Sequence, residues 1–209
     1  MSNATIEEKR AAIAANPASS FPTGKYQIII IDPPWKYGLR DKDPSHRNRT
    51  PYPTMEIEDI FRLPVWQIAS DPCYIWLWAT KDYLEDAFRA LSYWGFDYKN
   101  IFTWVKVVKD GDKIRIGTGH WGRNCTEFLL LGATKKAKCL SHLGLTNCPT
   151  AFTTEHSSAF FEQRGKHSQK PEIIYEMCDR LAASLGDARK IELFARSARD
   201  GWDCWGNEV

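Results

Sequence analysis

The run Tyr26-Gln27-Ile28-Ile29-Ile30-Ile31, cut short by Asp32-Pro33-Pro34-Trp35, constrains this chain more than any other feature. Four consecutive isoleucines are stiff at χ1 and suit a pleated surface; apolar on both faces, they predict a strand covered on both sides. The two prolines stop it, because neither can donate to a sheet ladder. Cys73–Thr80 reads as a second such strand, Ile101–Val108 as a third, Glu127–Gly132 as a fourth and Lys190–Phe194 as the last. Helical signals separate them. Met55–Phe61 predicts a short helix, and Leu84, Ala87, Phe88 and Leu91 recur at helical spacing until Gly95. Lys170-Pro171 opens a helix with Pro171 at its first position and Ile174, Met177, Leu181 and Leu185 on its apolar side. This alternation predicts an α/β fold, a mainly parallel sheet with helices on both faces. Such sheets bind ligands at the carboxyl ends of their strands, where Asp32-Pro33-Pro34-Trp35 and Phe194-Ala195-Arg196 fall.

The length of 209 residues fits one domain. Residues 25–209 form it, and 1–24 form an arm whose Thr5 and Glu8 predict a capping box on a helix through Ala15. Within the domain, 36–53 reads as a polar active-site loop and 135–169 as an irregular lid or recognition segment. Hydrophobic residues at 43% exclude wholesale disorder, and a net charge of +2 excludes a binder that coats nucleic acid by bulk charge. Locally the balance differs: 36–49 holds five Lys/Arg against Asp41 and Asp43, so the excess of positive charge follows the proline motif directly. Nine Trp, eight Tyr and ten Phe exceed what a small core needs.

No apolar run approaches the ~20 residues of a membrane span, and no signal peptide opens the chain, so a cytoplasmic location without membrane attachment is expected. Six cysteines without a CxxC pair read as reduced thiols. Cys139, His142, Cys148 and His156 fit no standard zinc spacing, and no metal is expected. Trp76 and Trp78 read as core, as do Met177 and Cys178, while Cys125 lacks a partner base for a nucleophile. Lys135, Lys136 and Lys138 read as a solvated face, with a phosphate role as the alternative.

An acidic residue at a strand end before two prolines offers a carboxylate and bare carbonyls from a rigid frame. Such a cradle accepts hydrogen bonds and donates none. It suits a group that is a pure donor, such as the exocyclic amine of a nucleobase, held between Asp32 and the Pro33 carbonyl with Trp35 as an aromatic wall. A cap on a Pro-Pro turn explains the tetrapeptide equally well. No G-x-G-x-x-G follows any strand, which disfavours a dinucleotide dehydrogenase.

Together with Pro51-Tyr52-Pro53-Thr54-Met55, Thr103-Trp104-Val105-Lys106, Gly117-Thr118-Gly119-His120-Trp121, Glu127, His167-Ser168-Gln169-Lys170-Pro171, Lys190–Arg196 and Gly201–Glu208, the motif resembles the MT-A70-like family of adenine amino-methyltransferases. The resemblance runs in order from Tyr26 to Val209. It implies a Rossmann-like class I methyltransferase of permuted order, the catalytic motif preceding the cofactor strand, using S-adenosylmethionine. It makes Asp32, Pro33, Pro34 and Trp35 catalytic. Asp32, Lys170, Phe194, Arg196, Asn207 and Glu208 fall on cofactor positions, and Lys36, Tyr52, His120 and Glu127 on substrate positions. The Cys-Asp cofactor contact of larger members has no match in Asn16–Gly24, nor does Cys139–Arg164 match any family element. The implied reaction is methyl transfer to N6 of adenine in DNA, without a metal. The same reaction on RNA, or a non-catalytic nucleic-acid scaffold, is the alternative. Recognition sequence and oligomeric state, a homodimer included, stay open.

Overall fold

The computed structural model describes residues 21–36, 54–107, 113–117, 119, 121–152 and 170–206. The expected helix at Thr5–Ala15, and the candidates Tyr52, His120, Asn207 and Glu208, lie outside the described residues. Among the described residues six strands form one sheet: β1 (Tyr26–Ile31), β2 (Ala69–Ala79), β3 (Asp97–Val105), β4 (Thr126–Ala133), β5 (Lys190–Leu193) and β6 (Asp203–Trp205). Their order across the sheet is β3-β4-β2-β1-β5-β6. β1 pairs in parallel with β2 and β5, and β5 with β6, whereas β4 runs against both β2 and β3. Every strand but β4 therefore points the same way, as the mainly parallel reading requires.

The four isoleucines of β1, set in the middle of the sheet, have no solvent exposure at all. Burial of that kind stabilises by about 1.5–3 kcal/mol per side chain. Their alternation divides the core. Ile29 and Ile31, with Ile75 and Leu77 of β2, face helices α1 (Ile57–Arg62), α2 (Val65–Ile68) and α3 (Leu84–Tyr93). Ile28 and Ile30, with Trp76 and Trp78, face α4 (Glu172–Ser184) and the segment carrying Leu145 and Phe152. Trp76 and Trp78 are core residues at 0% and 1% exposure. The expected packing of Met177 and Cys178 on the same side also holds. Much of the aromatic surplus is thus the filling between the sheet and α4.

Helix α3 ends as its sequence predicts. Gly95 takes φ +84°, the Phe96 N–H reaches the Leu91 carbonyl at 2.9 Å and the Gly95 N–H reaches Ser92 at 3.1 Å, a Schellman closure. Other boundaries move. Pro171 is the cap of α4 and not its first helical residue, which leaves Lys170 just outside the helix. β3 begins at Asp97, four residues ahead of expectation, because pairing of Asp97 with Ala133 of β4 recruits polar residues that pattern alone leaves out. β6 was not anticipated; three residues carry no period.

Candidate active site

Five sheet positions converge on one edge. Asp32 follows the last residue of β1, Trp78 lies at the end of β2, Lys106 follows β3, Glu127 opens the reversed strand β4, and Phe194 to Arg196 follow β5. Because β4 runs backwards, its first residues meet the others' last ones. Lys170 reaches the same edge from the start of α4. Its Nζ stands 3.0 Å from Asp32 Oδ1 and 3.0 Å from Glu127 Oε2, with 8% of the side chain exposed. Lys106 holds the other oxygen of Glu127. The result is an alternating row, Lys106–Glu127–Lys170–Asp32. It lies over two indoles, with Lys170 Nζ 5.0 Å from the centre of Trp78 and Lys106 Nζ 5.2 Å from that of Trp104.

The row sets the charges unequally. Burial raises the Lys106-flanked Glu127 carboxyl, but Lys170 and Lys106 outweigh it and hold the group down at about 2. Burial also raises Asp32, and there it prevails: Asp32 shares one lysine, feels the repulsion of Glu127, and stays above the ordinary carboxylate range. Burial would lower Lys170, yet its two carboxylate neighbours push it upward, so it is a fixed ammonium and not a base. The charge of Arg196 acts on Asp32 in the same downward sense as Lys170. Glu192, on β5, is raised by burial, receives the Tyr175 hydroxyl at 2.8 Å and also feels Asp32.

The proline turn is built from its carbonyls. The Trp35 N–H donates to the Pro33 carbonyl at 2.8 Å, and the Met55 N–H to Pro34 at 2.9 Å. Trp35 differs from the open aromatic wall expected for it. Only 4% exposed, it stacks on Tyr83 at 5.0 Å and 11°, and its indole N–H donates to the Trp78 carbonyl at 3.1 Å. Lys36 is exposed and paired with Glu56. Phe194 takes φ +63°, a left-handed backbone unfavourable for an aromatic residue, and meets Trp205 edge-on at 5.2 Å. The lysines of 135–138 follow the far end of β4, at the opposite edge, with Lys136 paired to Asp71 at 3.4 Å. A phosphate contact by them would lie away from this site.

Among the described residues no group of His, Cys, Asp or Glu is placed to hold a metal ion, and no helix is long and apolar enough to cross a membrane. Sequence reasoning gave no role to Lys106 or Tyr83 and read Trp78 as core alone. Lys106 sits within a quoted motif, but the topological reversal that turns it onto Glu127 leaves no trace in spacing.

The mainly parallel α/β sheet, with carboxylates and ammonium groups gathered at its strand ends, has a Rossmann-like architecture. Comparison with known proteins gives the family. The MT-A70 family matches residues 26–208, and the chain belongs to it. Over 205 residues it is 30% identical to the Type II methyltransferase M.MunI of Mycoplasma sp, covering 90% of this chain and 79% of that one. It is 26% identical to the human N(6)-adenine-specific methyltransferase METTL4, over 88% of this chain and 37% of the relative. It is 24% identical to the N6-methyladenosine RNA methyltransferase MTA1 of Cryphonectria parasitica, over 88% of this chain and 52% of the relative.

Proposed function

We propose that this protein transfers a methyl group from S-adenosylmethionine to the N6 amine of adenine in DNA, with Asp32 as the central catalytic residue. The observation that carries the reading is a carboxylate at a strand end, followed by two prolines and held by an ammonium 3.0 Å away. The donor set suits the cofactor. Its amino-acid end pairs an ammonium with a carboxylate; Asp32 keeps Oδ2 as an acceptor, and Lys170 keeps one N–H beyond those given to Asp32 and Glu127. Phe194 and Arg196 line the same edge, and Asn207 and Glu208 complete the set in this reading. When bound, the cofactor supplies a methyl group already activated on a sulfonium.

The chain's own task is alignment and hydrogen bonding. Asp32 accepts one amine hydrogen. The Pro33 carbonyl has two lone pairs, one engaged by Trp35 N–H, and offers the other to the second hydrogen. Drawing both hydrogens toward acceptors frees the nitrogen lone pair from the ring. Lys170 holds Asp32 in place and balances its charge. Lys36, Tyr52, His120 and Glu127 are proposed on the substrate side, and the adenine leaves its stack to reach them. DNA is taken ahead of RNA because M.MunI matches along most of both chains, whereas MTA1 matches at lower identity.

Asp32→Ala is expected to abolish tritiated-methyl incorporation into an adenine-containing oligonucleotide while the circular dichroism spectrum is kept. Near-normal turnover would sink the assignment. Matched DNA and RNA oligonucleotides in the same assay decide the substrate.

A further inference from the structure

Tyr83 carries no assignment, yet it grips both residues that follow the proline pair. It closes the short 3-10 turn Lys81–Tyr83 that leaves β2, and is 9% exposed. Its ring lies 5.0 Å from that of Trp35 at 11°, and its hydroxyl donates to the Lys36 carbonyl. The Trp78 carbonyl, five residues earlier, takes the Trp35 indole N–H at 3.1 Å. Trp35 is therefore fixed by its edge and one face from the same stretch of chain.

Fixing Trp35 has a chemical consequence. Its backbone N–H donates to the Pro33 carbonyl at 2.8 Å, so the direction of that carbonyl depends on where Trp35 sits. The prolines hold φ, but nothing in them fixes ψ. Two further ties brace the neighbouring segment: Met55 N–H on the Pro34 carbonyl at 2.9 Å, and the pairing of Lys36 with Glu56. These ties act on the backbone, where Trp35 bridges to Met55, and neither touches the Trp35 ring.

We propose that Tyr83 is a positioning residue for the reaction: through Trp35 it sets the aim of the Pro33 carbonyl, the second acceptor for the substrate amine. The inference rests on the reading of that carbonyl given above. Because an aromatic core residue would matter for folding alone, the two roles separate in kinetics and in amide exchange.

The test compares the intact protein with Tyr83→Phe, which keeps the ring, and Tyr83→Leu, which removes stacking as well. Expected for Tyr83→Leu is a fall in kcat of about tenfold or more, with roughly unchanged KM for the oligonucleotide and Kd for S-adenosylmethionine; Tyr83→Phe falls between it and the parent. Backbone exchange at Trp35 should quicken by a similar factor in Tyr83→Leu while Ile29 to Ile31 stay protected. Unchanged exchange at Trp35 would overturn the tether. Faster exchange with kcat intact would overturn its bearing on catalysis. If the parent protein transfers no methyl group, the proposed function fails, and exchange at Trp35 alone decides whether Tyr83 positions the turn.

Discussion

Glu127 divides its two oxygens between Lys106 and Lys170, and that division governs how Asp32 ionises. As a carboxylate Asp32 accepts an amine hydrogen more strongly than as a neutral acid, so activity is expected to fall as pH drops through its raised value. Neutralising Glu127 removes a repulsion on Asp32 and leaves Lys170 to Asp32 alone. The acid limb of kcat in Glu127→Gln should therefore move to lower pH. Lys106→Met does the reverse: Glu127 leans harder on Lys170, and the limb moves to higher pH. A pH–rate series on the three proteins checks both directions, and limbs that coincide would uncouple the row from the chemistry. At this scale the sequence disclosed the residue with unusual neighbours in the chain and hid those with unusual neighbours in space. Asp32 stands before two prolines and is conspicuous. Lys106 looks like any strand-terminal lysine, and Trp35 looks like a platform until Tyr83 and Trp78 are seen to occupy it.

Among the elements, β1 was legible to the residue because four isoleucines admit no other environment, and α3 because its period and its glycine stop agree. β6 was not, since its three residues are ordered by pairing with β5 rather than by any pattern of their own. That pairing depends on Gly206. A Cβ there would lie 2.3 Å from the Ala195 carbonyl oxygen and 2.8 Å from its nitrogen, so any side chain would push β6 away from the turn that carries Phe194 and Arg196. Gly206→Ala should weaken S-adenosylmethionine binding by about tenfold, on the order of 1.4 kcal/mol, with a far smaller effect on kcat at saturating cofactor. Calorimetric titration measures it, and parent-like affinity would separate the close approach from cofactor binding.

Over the whole molecule, a net charge of +2 hides a segment, 36–49, with five Lys/Arg against two Asp. Both its flanks are anchored at the site edge, through Trp35 and Lys36 on one side and Met55 and Glu56 on the other. Nucleic-acid affinity should consequently depend on salt through few contacts. Replacing Arg40, Arg47 and Arg49 by Gln should flatten the slope of log affinity against log salt by about 2–3, as read by fluorescence anisotropy over a potassium chloride series. An unchanged slope would move the phosphate contacts elsewhere on the surface.

The central place of β1 also bears on the order of events during synthesis. β1 emerges from the ribosome some 160 residues ahead of its β5 partner, as the contact between Gln27 and Arg189 shows. Until then, even with β2 paired on one side, the isoleucine strand keeps its other edge open, the kind of edge that recruits strands from other chains. Pairing over such a separation is slow to nucleate. Half of the proposed cofactor pocket is therefore synthesised long after the Asp32–Trp35 turn that it would face.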